Sequence, residues 1–130
     1  FIKDISKKKL NTAQSISHAA CSVATKQGIK KIITMTHSGS TARMVSRYRP
    51  GAEIIAMTPF KEICRQLGII WGVRPLLVRD YNTSDDIPLI ANEILMLNKI
   101  LRRNEKYVIT GGVPVGVPGT TNYLSVLKGV

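Results

Sequence analysis

The chain has 130 residues, 44% of them apolar, which is enough for one domain around a single core and argues against wholesale disorder. No apolar run approaches the ~18 residues of a membrane-spanning helix, and Phe1-Ile2-Lys3-Asp4 opens without the apolar stretch of a secretion signal. Nineteen Lys and Arg against eight Asp and Glu give +11, and residues 1–49 hold ten basic residues against Asp4 alone, a field that favours anionic partners.

Residues 1–11, with Lys7-Lys8-Lys9 and little apolar periodicity, read as a linker or ragged end. The chain opens on Phe1 rather than methionine, so a trimmed chain or a piece of a longer one is expected. From residue 12 to 130 the pattern is that of one domain. Ala13, Ile16, Ala20 and Val23 fall at helical spacing, Asn11 or Thr12 can cap the start, and Gly28 stands where a C-terminal cap belongs. A β-branched run, Lys30 to Thr36, predicts a strand that ends in His37-Ser38-Gly39-Ser40-Thr41. A second helix follows through Ala42, Val45 and Tyr48, and Arg49-Pro50-Gly51 stops it.

Glu53 to Met57 predicts the next strand. Thr58 is the expected cap of a third helix, with Pro59 at its first position and Phe60, Ile63, Cys64 and Leu67 inward. Val73 to Val78 reads as a strand whose Pro75 argues for an edge. Ser84-Asp85-Asp86 opens what reads as the longest helix, with the stripe Ile87, Ile90, Ile94, Leu97, Leu101 and Arg102-Arg103 in its last turn. Lys106 to Ile109 and Thr121 to Leu127 are the last two strands, joined by a Gly/Pro-rich loop. Alternation of this kind predicts a three-layer α/β/α sandwich on a five-stranded, mostly parallel sheet with the last strand antiparallel.

In such a sheet, ligands bind beyond the carboxyl ends of the strands. Thr36, His37, Ser38, Gly39, Ser40 and Thr41 lie there. Four hydroxyls in six residues, a glycine and the free amides of a helix start make an anion cradle, where an ordinary cap needs one hydroxyl. The second segment is Gly112, Val113, Pro114, Val115, Gly116, Val117, Pro118 and Gly119, a shaped loop whose backbone can approach a ligand closely. It lacks the Gly-Lys-Ser/Thr of a P-loop, and no run matches a dinucleotide fingerprint. No catalytic motif is present, and Asp85-Asp86 reads as helix-start carboxylates rather than a metal site, so neither a catalytic nor a metal residue is assigned. Cys21 and Cys64 are too few for a disulfide scaffold and read as buried thiols on helices of a cytoplasmic protein.

The run Ile33 to Pro50, with its Thr36-His37-Ser38-Gly39-Ser40-Thr41 core, resembles the hydroxyl loop and following helix of the C-terminal domain of pyruvate kinase. Thr110 to Asn122 looks like the bacterial form of that domain's closing loop, and Gly72-Val73-Arg74-Pro75 and the acidic-capped helix extend the likeness over residues 12–130. The resemblance implies a regulatory domain that is not an enzyme by itself. The barrel domain that carries phosphoenolpyruvate, ADP, magnesium and often potassium is missing, and no cofactor is expected here. Thr36, Ser38, Gly39, Ser40 and Thr41 would hold one phosphate, and the loop from Gly112 to Gly119 would close over the rest of the effector.

Some relatives hold a second phosphate with basic side chains, including an arginine on the long helix. Lys99, Arg102 and Arg103 are near that place, and the loop itself has no arginine, which favours AMP or a sugar monophosphate over a bisphosphate. Other pyruvate kinase domains and subunits are the expected protein partners. Two other readings stand beside this one: a free-standing phosphate-ester-binding or assembly protein of the same fold, and a basic nucleic-acid-binding module. The last is disfavoured by aromatics at 5% that do not interleave with the basic residues, and a membrane partner is not expected.

Overall fold

A computed structural model of the protein describes residues 9–112, Val115 and residues 121–130; most of the expected N-terminal linker therefore lies outside the described residues. The elements are α1 (Thr12–Gln27), β1 (Lys31–Met35), α2 (Ser40–Arg47), β2 (Glu53–Thr58), α3 (Lys61–Leu67), β3 (Val73–Leu77), α4 (Asp86–Leu97), β4 (Lys106–Gly112) and β5 (Thr121–Lys128).

The strands form one sheet in the order β3-β2-β1-β4-β5, parallel except for the antiparallel β4/β5 pair. From β1 the chain winds outward through β2 to β3, then α4 carries it back to the other side of β1. Right-handed crossovers put helices on one face while the winding runs one way and on the opposite face when it reverses. The packing follows this rule. Ile32, Ile54 and Val108 bury against Ala20, Cys21 and Ala24 of α1 and Val45 of α2, and Ala56 against Ala42 of α2 and Leu67 of α3. Ile33, Met35, Ile55, Met57 and Ile109, one residue out of phase, bury against Ile87, Ile90, Ala91 and Leu95 of α4. The result is the expected three-layer α/β/α sandwich.

Local chemistry sets most boundaries. Asn11 caps α1: its side chain accepts from the Gln14 amide at 2.8 Å, and the Gln14 side chain accepts from the Asn11 amide at 3.0 Å. Gly28 ends the helix at φ 65°, a left-handed conformation that costs glycine nothing. Pro75 stands on β3, an edge strand, as its missing N–H requires.

Several expectations shift. Thr58 is the last residue of β2 instead of the cap of α3. Its hydroxyl accepts from the Phe60 amide, so the helix starts only at Lys61 and Phe60 stays exposed. The longest described helix is α1, of 16 residues; α4 has 12 and ends at Leu97, so Arg102 and Arg103 lie beyond it in the turn to β4. The inward stripe passes through Leu95, fully buried, while Leu97 is 75% exposed. Cys21 is buried as expected; Cys64 is only half-buried.

Candidate functional site

The winding reverses between β1 and β4, the point in an open α/β sheet beyond whose strand carboxyl ends ligands tend to bind. Both loops singled out in the sequence leave from this point. Met35 of β1 stands beside Gly111 of β4, which sets Thr36 next to Gly112. The strands approach so closely that a Cβ on Gly111 would lie 2.9 Å from the Met35 carbonyl oxygen and 3.0 Å from the Tyr123 hydroxyl.

The hydroxyl loop is built from the backbone outward. Thr36 is buried, and its Oγ1 accepts from the Gly39 amide at 2.8 Å, folding the loop into a tight turn. Gly39 then takes φ 88° as the N-cap of α2, a conformation that favours glycine, and no side chain caps the helix. Ser38 Oγ donates to Ser40 Oγ at 3.1 Å and accepts from the Ser40 amide at 3.3 Å, so these two half-buried hydroxyls form one polar pair at the helix mouth. The amides of Thr41 and Ala42, in the first turn, make no intrahelical bond. Donors of this kind at the positive end of a helix dipole suit an oxyanion without any formal charge.

Thr41 has another task. Its Oγ1 lies 2.7 Å from Thr121 Oγ1, and both residues are almost completely buried. Thr121 is the first residue of β5 and stands opposite Gly112. The two stems of the glycine-proline loop are therefore both fastened to the hydroxyl loop, one through the sheet and one through this hydroxyl pair. Thr121 had only weak warning in the sequence, from the Thr120-Thr121-Asn122 run that closes the loop. Val113, Pro114, Gly116, Val117, Pro118 and Gly119 lie outside the described residues; Val115 packs against the core on the α4 side.

His37 is placed apart from the hydroxyls. Its ring stacks on Tyr81 at 4.9 Å between centroids, meets Phe60 at 5.4 Å, and brings Nε2 to 3.5 Å from Asp80 Oδ1. Burial, with a smaller contribution from Asp80, pushes the Tyr81 phenol up to about 12; burial likewise pushes Tyr123 up, with Tyr81 adding to it. Both phenols therefore stay neutral at neutral pH. Lys99 and Arg102 are not near the hydroxyl loop. They line a cleft with Lys31 and Lys106, at the amino ends of β1 and β4 and so at the opposite edge of the sheet. Neither can supply a second phosphate contact at the hydroxyl loop.

Residues 14–127 match the family described as pyruvate kinase, alpha/beta domain. Pyruvate kinase of Clostridium acetobutylicum is 37% identical over 118 residues, 91% of this chain and 25% of that protein. The enzyme of Methylorubrum extorquens is 33% identical over 114 residues, 88% of this chain and 24% of that one. Among solved structures, Cryptosporidium parvum pyruvate kinase in complex with ADP superposes with a TM-score of 0.82 at 28% identity, covering 95% of this chain and 25% of its own. The chain thus spans about a quarter of the length of these relatives.

Proposed function

Because the chain belongs to the pyruvate kinase family as its C-terminal α/β domain, we propose that it is a regulatory unit that grips the phosphoryl group of a small phosphorylated effector. The grip is the Ser38/Ser40 pair with the first-turn amides of α2, and the loop from Gly112 to Gly119 closes over the rest of the ligand. The observation that carries this reading is the convergence of the two loops at the point where the winding reverses, with Thr41 and Thr121 joining them.

The absence of cationic residues from Thr36 to Ala42 and from Gly112 to Gly119 favours a single phosphoryl group, so AMP or a sugar monophosphate is preferred to a bisphosphate. Phosphoryl transfer from phosphoenolpyruvate to ADP, with its magnesium and potassium, is assigned to the part of the family's chains that this one does not span. The domain alone is read as non-catalytic and cytoplasmic. Effector binding regulates only if it prefers one arrangement of domains or subunits over another, since a ligand shifts an equilibrium by its difference in affinity and no more. Association with other pyruvate kinase domains and subunits supplies those arrangements, and β5, an edge strand with only β4 beside it in the described sheet, is one surface available for it.

Calorimetric titration of the chain with AMP, ribose 5-phosphate and fructose 1,6-bisphosphate tests the grip. Ser38→Ala with Ser40→Ala is expected to weaken binding about 10- to 100-fold for each charge-assisted hydrogen bond lost, at about 1.5–3 kcal/mol apiece. Unchanged affinity in the double variant rejects the phosphate assignment.

A further inference from the structure

The cleft at the amino edge of the sheet, on the far side from the hydroxyl loop, has a volume of about 540 Å³. Lys30, Lys31, Lys99, Arg102 and Lys106 line it, and Glu105 is its one carboxylate. Glu105 is already committed. It accepts from Lys31 Nζ at 2.9 Å and from the Arg102 amide at 2.9 Å. Burial acts to raise its pKa, but these contacts outweigh that and hold the carboxyl below the usual range. Lys31 and Glu105 thus pair, Arg102 also acts on the Glu105 charge, and Lys30, Lys99 and Lys106 remain without a carboxylate ion pair among the described residues.

Lys30, Lys99, Arg102 and Lys106 come from three separate segments: the α1–β1 turn, the turn after α4, and the start of β4. In the β1/β4 register Ile32 stands beside Val108; carried two residues back, it sets Lys30, just before β1, beside Lys106, like charges side by side. Lys99 holds φ 55°, the left-handed conformation that usually goes to glycine or asparagine after a helix. The helix dipoles do not account for the charge. α1 and α4 both end here, but their final carbonyls are taken by the amides of Gly28, Ile29, Asn98, Lys99 and Ile100. Two helix ends amount to about one negative charge.

We propose that this cleft is a second anion site, separate from the proposed effector site, which takes a linear oligophosphate. Lysine ammonium groups are mobile point charges without the planar fork of arginine, so they suit a chain of phosphates better than a single oriented carboxylate. Four cations around one cavity match the four to five negative charges of a triphosphate. The same chemistry is offered by free tripolyphosphate and by the tail of a nucleoside triphosphate.

Titration of the chain with sodium tripolyphosphate, and separately with metal-free ATP, tests the assignment at two salt concentrations. Saturable one-site binding of tripolyphosphate is expected, weakened at least tenfold by Lys99→Ala with Lys106→Ala and again by Lys30→Ala with Lys99→Ala. It is expected to survive Ser38→Ala with Ser40→Ala, which separates this site from the proposed phosphate grip. ATP binding as tightly as tripolyphosphate identifies a nucleotide site, and ATP failing where tripolyphosphate binds identifies a free-oligophosphate site. Absence of saturable binding, equal binding of citrate, or loss of binding in the serine variant alone overturns the proposal.

Discussion

Thr41→Val removes the hydroxyl that ties α2 to β5 and keeps the shape of the side chain. The Thr41 and Thr121 oxygens are 2.7 Å apart, and the residues are 3% and 2% exposed, so no bulk water replaces the lost bond. The variant leaves the Thr121 hydroxyl buried and alone, which is expected to cost about 1–2 kcal/mol, and Thr121→Val is expected to cost the same. The double variant loses the bond but strands neither partner, so it is expected to lie within about 0.5 kcal/mol of the unaltered chain. The resulting coupling energy, the sum of the two single costs less that of the double variant, is about 2–4 kcal/mol. At about 2.1 cal/mol/K per residue, the unfolding entropy near 60 °C is roughly 0.27 kcal/mol/K, so each kcal/mol moves Tm by about 4 °C. Urea and thermal unfolding of the four proteins measures the cycle. A neutral Thr41→Val, or a double variant that loses the sum of the two single effects, refutes the buried bond. Titration of the same proteins with AMP separates tether from stability: the double variant is expected to fold well yet bind as weakly as the single ones.

Gly111→Ala places a Cβ against the Met35 carbonyl and the Tyr123 ring, and overpacking of this kind is expected to cost about 1–3 kcal/mol; an unchanged urea midpoint contradicts the close approach of β1 and β4. Ser17 is fully buried on α1 and its hydroxyl has no hydrogen-bond partner among the described residues. Ser17→Ala is expected to raise stability by about 1 kcal/mol, and a loss in thermal scans shows that the hydroxyl is satisfied. Burial raises Cys21 from 9.0 to about 11, and burial with Asp80 raises Tyr81 from 10.0 to about 12. In each case the unfolded chain releases its proton first, so stability is complete below the lower value and falls as pH rises towards the upper one. Urea midpoints are expected to drop above pH 9, and Cys21→Ala to flatten the decline between pH 9 and about 11; a flat profile in the unaltered chain contradicts both assignments.

What the sequence could show was whatever depends on neighbours along the chain. The β-branched runs marked the strands, Pro75 marked an edge, Gly28 marked a helix end, and four hydroxyls before Ala42 marked the helix mouth. What it could not show depends on residues far apart. The order β3-β2-β1-β4-β5 is decided by the direction of one crossover, which leaves no local trace. The Thr41–Thr121 bond joins residues 80 positions apart. His37 sat among hydroxyls in sequence, yet Phe60, Asp80 and Tyr81 draw its ring to the α4 side of the sheet. The helix after β2 was placed too early because Thr58 and Pro59 satisfy the chemistry of a helix start and of a strand end equally well. The α4 stripe slipped from Leu95 to Leu97 because the run Ile94-Leu95-Met96-Leu97 is apolar on every side.

The proposed phosphate grip sits where the winding of the sheet reverses. β1 and β4 are separated in sequence by α2, α3 and α4, and besides their ladder they share the cover of α1, whose Ala20, Cys21 and Ala24 pack on Ile32 and Val108. A ligand held as proposed by the mouth of α2 and the loop between β4 and β5 would touch both the β1 side and the β4 side of this reversal. Thr41 and Thr121 make a side-chain bond between α2 and β5, so such a contact leads to the edge strand. A tenfold preference of the effector for one position of β5 corresponds to about 1.4 kcal/mol, comparable with the cost of losing that single bond. If the Thr41–Thr121 tie carries the preference, breaking it is expected to leave phosphate affinity partly intact while abolishing any effect of AMP on self-association of the chain, measured by sedimentation with and without AMP. An unchanged effect of AMP on the association of the Thr41→Val, Thr121→Val chain excludes this route.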